Sequence, residues 1–284
     1  MEGNSETIAV IVLYEPDSDR LKRNIAAIEN QVDKVVLVMN SACEKVCVHY
    51  QQNEGIVCIK NQGNKGIAKA LNQGMEYADK SGYSWVLTLD QDSVVSEGLV
   101  KALYQQIHER GRVGIVAPSV MDINVGEEDI GKTGIECVDR CITSAALTSV
   151  KAWKEVGGFT EQLFIDYVDC DYCAKLTRAG YKIIKDYDTK FFHEIGHGKR
   201  LKIGKKYYDI YNHNEKRRYY YTRNVIYYYK TYSDIVNVKK EKRDLFLRCL
   251  MIVIFEKKKW EKLKMMIRGA RDAKKLLGEM EHER

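Results

Sequence analysis

The sequence has 284 residues but only two prolines, and it contains no Ser- or Gly-rich tract. That excludes a long flexible linker between tethered domains. No segment recurs at solenoid spacing, so a repeat array is excluded as well. Long apolar runs are missing. The most apolar late stretch, residues 245–255, is interrupted by Arg248 and is too short to span a bilayer. The opening MEGNSETIAVIVLY has no signal-peptide pattern, so the expected location is the cytoplasm. Only one of the spacings among the eight cysteines is a CxxC, Cys170 to Cys173. A zinc site wants a second matching pair, so the thiols are expected to be reduced packing residues. Excess charge of one sign is also small, at +6 from 46 basic and 40 acidic residues. That is weak for a nucleic-acid binder, and no nucleic-acid partner is expected.

The basic excess lies late. Lys239, Lys240, Lys242 and Arg243 form one group, and Lys257, Lys258, Lys259, Lys262 and Lys264 form another. Between them lie Leu245, Leu247, Leu250, Met251, Ile252, Ile254 and Phe255. Such a segment suits peripheral contact with the anionic inner face of the plasma membrane, or a helix packed on its own domain or on a second subunit.

The first half alternates short apolar runs with helical patterns. Residues 8–13 (IAVIVL), 35–39 (VVLVM), 56–59, 85–89 (WVLTL) and 113–117 read as strands. Continuous apolarity suits strands buried on both faces. Helices are expected over 19–30, 43–52, 67–78 and 97–109. This alternation predicts a doubly wound, Rossmann-like, mostly parallel sheet flanked by helices. In the second half, residues 119–139 are polar and turn-rich, 142–150 and 181–192 read as strands, and the pattern is helical from Glu215. We expect a domain over residues 1–230 and a basic, amphipathic helical extension over 231–284.

In an open parallel sheet, ligands gather beyond the C-terminal ends of the strands. The polar residues there are Tyr14, Asn40 with Ser41, the 61–66 loop, and Asp90 with Asp92. Asp90-Gln91-Asp92 follows a buried strand. Two carboxylates that close repel unless a proton or a hard cation such as Mg²⁺ or Mn²⁺ compensates, and such a cation also takes phosphate oxygens. The competing reading is that Asp92 or Ser93 caps a helix. In the segment NQGNKGIAKALN, residues 61–72, Gly63 and Gly66 permit close backbone approach. Asn64, Lys65 and the following helix N-terminus favour an anion.

Taken in order, VIVLYEPD, NQGNKGIAKALNQG, VLTLDQDS, GGFTEQLFIDYVDCDYC, FFHEIGH and HNEKRRYYYTRN make the chain resemble glycosyltransferase family 2, with its GT-A fold. LDQDS, LFIDYVD, the HxxG form at His193 and the Arg/Tyr-rich stretch resemble its bacterial rhamnosyltransferase branch. The resemblance implies inverting transfer of a sugar from a nucleotide-diphosphate donor, dTDP-L-rhamnose by the narrower match, to a hydroxyl. The acceptor it implies is a surface polysaccharide on a lipid carrier. It implies Asp92 and His193 as metal ligands, Asp90 facing the donor, Asp169 as catalytic base, and Arg223-Asn224 near the acceptor. Tyr14, Asn40, Asn64 and Lys65 are expected on the donor side, Asn40 through a carbonyl offered to the base. Asp166, in the loop before the Asp169 helix, is expected to cap that helix or meet the acceptor, and Asp171 to point away from Asp169. The alternatives are a UDP-hexose transferase, a nucleotidyltransferase and a silent nucleotide-sugar binder. The nucleotidyltransferase would want a glycine-rich loop after the first strand, where this chain has Tyr14-Glu-Pro-Asp.

Overall fold

The computed structural model describes residues 7–41, 44–50, 52–107, 110–122, 126–127, 129–193, 199–203, 206–210 and 212–282. Cys43, Gly196 and His197 lie outside the described residues.

The predicted alternation is present. β1 (Thr7–Leu13), α1 (Ser18–Ile28), β2 (Lys34–Met39), α2 (Glu44–Tyr50), β3 (Ile56–Lys60), α3 (Ile67–Lys80) and β4 (Trp85–Asp90) follow one another, and β1 pairs in parallel with both β2 and β4. Because side chains alternate across a strand, β1 feeds two cores. Ile8 and Val10 pack toward α3, and Ala9, Ile11 and Leu13 toward α1. Burial on both faces is why the strand reads as unbroken apolar sequence.

The sheet continues through β5 (Ser93–Val95), β6 (Val113–Asp122), β7 (Gly126–Glu127), β8 (Ile135–Cys137), β9 (Ala146–Ser149) and β10 (Lys182–His193). Its order is β3-β2-β1-β4-β9-β6-β10-β5, with β7 and β8 pairing off that path. Here the expectation needs correction in detail. β9 is antiparallel to both β4 and β6, and β5, β7 and β8 also pair antiparallel, so the parallel pairs are β1 with β2 and β4, β2 with β3, and β6 with β10. Residues 119–122, expected as polar loop, continue β6. Ser119, Val120 and Asp122 are buried because β10 lies alongside them.

α4 (Leu99–Gln105) and α5 (Val150–Glu155) flank opposite faces, and α6 (Val168–Arg178) follows a short 3₁₀ turn, Glu161–Leu163. Beyond the β11 (Lys199–Ile203) and β12 (Lys206–Ile210) hairpin come α7 (Glu215–Thr231), α8 (Val238–Phe255) and α9 (Lys259–His282). The C-terminal helices fold back onto the sheet-bearing body. Leu276 of α9 and Tyr227 of α7 join the same core as Val10. α9 crosses α7 closely at Gly269, where a Cβ would stand 2.5 Å from the Tyr219 carbonyl oxygen. No described helix is long and apolar enough to cross a membrane.

Candidate active site

The end of β4 carries Asp90, and the chain turns at Gln91 and Asp92 into β5. Ser93 of β5 lies opposite His193 of β10 in an antiparallel pair. That register brings a histidine one hundred residues away onto the two acids. His193 Nε2 is 3.9 Å from Asp90 Oδ2, and its Nδ1 is 3.6 Å from Asp92 Oδ1. One ligand atom from each of the three lies within 4.8 Å of the others. Oxygen-rich donors with one imidazole suit a divalent cation. Burial raises the Asp90 carboxyl above the ordinary carboxylate range. Asp92 and Asp169 add to the rise, while His193 and Arg217 oppose it. A third of its side chain still reaches solvent, so the direction rather than its size carries the point. The acids crowd one another, and a cation would relieve them. Neither Asp92 nor Ser93 caps a helix. α4 begins only at Leu99, with Gly98 in the cap position.

Sequence reasoning missed what holds this cluster. Gln91 locks Tyr14 through both backbone groups, accepting from Tyr14 N–H (2.8 Å) and donating to its carbonyl (3.1 Å). Tyr14 is thereby fixed at the rim of the cleft, 47% exposed. Asn24 donates to the Asp90 carbonyl (2.8 Å). The buried hydroxyls of Ser93 and Ser144 meet each other at 2.6 Å, and Ser93 also meets His193 Nδ1 at 2.7 Å. Ser93 was visible within LDQDS; Ser144 carries no motif.

The 61–66 loop leaves β3 at the same end of the parallel strands, with Asn64 and Lys65 exposed. Asn64 Oδ1 accepts from Gly66 N–H at 2.9 Å, which shapes the turn into α3. Gly66 has φ +86°, and a Cβ there would meet the Phe164 backbone at 2.8 Å, so only glycine fits. Asn40 is 2% exposed, and its side-chain amide donates to the Gly66 carbonyl at 3.0 Å. Its side-chain oxygen accepts from Asn61 (2.8 Å) and from Lys65 N–H (3.4 Å). The Asn40 side chain therefore shapes the loop.

Across the cleft, residues 164–167 run into α6. Phe164, Asp166 and Tyr167 all have φ near +60°, a strained conformation for side-chain-bearing residues. Asp169 sits in the first turn of α6, accepting from Cys170 N–H at 2.8 Å. Burial raises its carboxyl, the Cys170 N–H opposes the rise, and Asp166 adds to it. It also lines a cleft of about 360 Å³ with Arg140, Cys141, Ile142, Lys185 and Tyr187. Asp171 is fully buried, accepting from Thr160 (2.6 Å) and Tyr232 (2.8 Å), and is thus removed from any acceptor, as expected.

On the acceptor side, one of the two readings of Asp166 falls away. Asp166 does not cap α6, whose cap residue Tyr167 makes no side-chain cap. Its carboxylate is gripped by Arg217, at 3.0 Å from Nη2 and 3.2 Å from Nε. Arg223 donates to the Gln162 carbonyl (2.5 Å) and lies over the Tyr220 ring, which stacks on Phe164. Asn224 donates to the carbonyls of Leu163, Ile165 and Asp166, each at 2.8 Å. Arg223 and Asn224 thus hold the loop before Asp169 in shape. The described cysteines are free thiols, and Cys173 packs in the core.

Residues 7–176, which hold the first strands of the sheet, the Asp-x-Asp at the end of β4 and the acidic start of α6, match the Glycosyl transferase family 2 profile. The chain belongs to glycosyl transferase family 2. It is 28% identical over 238 residues to dTDP-rhamnosyl transferase RfbF of Shigella flexneri, covering 78% of this chain and 79% of that protein. Among solved structures, GalNAc-T7 with UDP, GalNAc and Mn²⁺ superposes with a TM-score of 0.61 at 15% identity, over 86% of this chain. The chain spans 55% of the length of that protein. TarS residues 1–349 of S. aureus superposes at 0.60 with 13% identity, over 96% of this chain and 83% of that one. The mannosyltransferase PcManGT of Pyrobaculum calidifontis, in complex with GDP-Man and Mn²⁺, superposes at 0.57 with 11% identity, over 98% and 79%. These likenesses establish the GT-A fold.

Proposed function

We propose that the chain is a metal-dependent, inverting rhamnosyltransferase that moves L-rhamnose from dTDP-L-rhamnose to a hydroxyl of a surface-polysaccharide acceptor. The observation that carries it is the meeting of Asp90, Asp92 and His193 across the cleft from Asp169. The choice of donor draws support from the dTDP-rhamnosyl transferase relative.

Asp92 and His193 would hold Mg²⁺ or Mn²⁺, with Asp90 turned to the donor. The bound cation would offset diphosphate charge as the leaving group departs. Tyr14, Asn64 and Lys65 line the donor side, with Gln91 and Asn40 holding the first and the last two in place. Asp169 takes the proton of the attacking acceptor hydroxyl, which requires an ionised carboxylate within hydrogen-bond reach. Its raised pKa makes it a better base than an exposed aspartate. The cleft beside Asp169 receives the acceptor, and Arg217 on Asp166 and Arg223 on the Gln162 carbonyl hold the loop that precedes Asp169. The test is a panel of nucleotide sugars with purified protein, reading released nucleotide diphosphate with and without Mn²⁺. Turnover of dTDP-L-rhamnose that EDTA abolishes is expected. Preference for a UDP-hexose overturns the donor assignment, and EDTA-insensitive turnover overturns the metal.

Residues 231–284 form the extension of the domain, and we assign them peripheral contact with an anionic membrane face. Phe246, Leu250, Ile254 and Trp260 are 67%, 44%, 58% and 74% exposed beside the two lysine groups. Ile252, expected on the same apolar stripe, is buried. Co-sedimentation with anionic liposomes at low salt is expected, and its loss in Phe246→Ser/Ile254→Ser. Failure of the wild type to co-sediment removes the membrane role.

A further inference from the structure

A histidine that binds a cation through one ring nitrogen carries its proton on the other, and that N–H needs an acceptor. In this chain one is already in place. Ser93 Oγ lies 2.7 Å from His193 Nδ1. Ser93 is fully buried, and its Oγ is 2.6 Å from that of Ser144, itself 2% exposed. Ser144 Oγ in turn accepts from the Asp90 backbone N–H at 3.2 Å. A line of hydroxyls thus joins the main chain of one acid to the ring of the histidine. Nothing in the packing of an apolar sheet requires two buried hydroxyls there; apolar side chains would fill the space without polar atoms to satisfy.

We propose that Ser93 and Ser144 are positioning residues of the cation site. Ser93 Oγ accepts the His193 Nδ1–H and leaves the Nε2 lone pair facing Asp90, while Ser144 keeps Ser93 and the Asp90 main chain in register. This rests on the reading of Asp90, Asp92 and His193 as a divalent-cation site. A serine hydroxyl can donate as well as accept. Were Ser93 to donate to Nδ1, the ring proton would sit on Nε2 and oppose a cation between the acids. Accepting from Nδ1–H instead, the Ser93 hydroxyl turns toward Ser144 Oγ, which has a second lone pair beside the one taken by Asp90 N–H. The cluster is then oriented before any cation arrives, so removal of either hydroxyl acts on cation affinity without removing a ligand.

The test is Mn²⁺ titration of the full chain without donor, followed by calorimetry, with thermal unfolding measured in parallel. Ser93→Ala is expected to weaken Mn²⁺ binding by about 10–100-fold, Ser144→Ala by a smaller factor, and Ser93→Thr to restore most of the affinity. Ring ¹⁵N shifts of the Mg²⁺-loaded protein are expected to show Nδ1 protonated in the wild type. A folded Ser93→Ala that binds Mn²⁺ within about a factor of two of wild type overturns the proposal. So does a loss of thermal stability with unchanged Mn²⁺ affinity, which marks the pair as packing, or a proton found on Nε2. A wild type that Mn²⁺ does not saturate, no different from Asp92→Ala, overturns the cation reading itself and the relay with it.

Discussion

The two walls of the cleft are built in different ways. On one wall, Asp90, Asp92 and His193 are placed by strand register, and the side chains of Asn24, Ser93 and Ser144 hold that placement. On the other, Asp169 follows a loop with three residues at positive φ, held from outside by Arg217, Arg223 and Asn224 of α7. A sheet end fixes a side chain through main-chain pairing that the rest of the domain stabilises. A strained loop keeps its shape only while its clamps hold. The first wall therefore keeps its fold after single side-chain losses away from its ligands, with cation affinity alone answering to Ser93 and Ser144, whereas the second wall loses its shape.

The sharpest way to test that contrast is Asp169→Asn, which removes a base and keeps the shape. Transfer is expected to fall by about 100-fold or more, while donor and Mn²⁺ affinities, set on the other wall, stay put. The raised carboxyl also fixes two signs. A base must be ionised, so the wild-type transfer rate should fall as pH drops through a value above the ordinary aspartate 3.8. Asp169→Asn should lack that acid limb. For folding, a raised native pKa means the protonated form stabilises, a contribution present below the unfolded pKa and lost as pH rises through the native one. The ionised carboxylate therefore strains the fold at neutral pH, and Asp169→Asn is expected to melt no lower than wild type there. Near-normal transfer, with collapse in Asp166→Asn instead, identifies another carboxylate as the base.

The same contrast governs what the sequence discloses. β1 to β4 were legible because burial on both faces leaves unbroken apolar runs, and polar residues at their ends announce a site. His193 and Asp169 were reachable through motif order, by resemblance to the family. The antiparallel β9 was not legible: four buried residues, Ala146–Ser149, look alike in either direction, and pairing is decided by partners far away in sequence. The clamps were hidden for a related reason. Arg223 and Asn224 were noticed as a pair near the acceptor, yet their targets are main-chain carbonyls, which leave no residue signature. Asn40 was ambiguous because the side chain of a polar residue at a strand end can serve the ligand or the loop, and burial shows this one serving the loop.

An intermediate effect is expected from Asn224→Ala. It removes an amide whose two N–H groups are shared among three carbonyls at 2.8 Å in a buried setting. At about 0.5–1.5 kcal/mol for each N–H, the loss is about 1–3 kcal/mol, measured as a lowered midpoint of urea unfolding. kcat should fall with it, because the loop sets where Asp169 stands, while donor affinity holds. The smallest effect belongs to the equivalent change on the other wall, Asn40→Ala. That amide also sits on three partners, but Gly66 O keeps the α3 bond from Ala70 N–H at 3.3 Å, and Asn61 keeps Gln73 at 2.8 Å. With replacements on hand, the cost should stay near 1 kcal/mol. It should appear as donor affinity weakened by less than about tenfold, with kcat barely changed, since Asp169 is untouched. The comparison of the two walls breaks if Asn40→Ala unfolds the protein more readily than Asn224→Ala, or if Asn224→Ala weakens donor binding more than it lowers kcat.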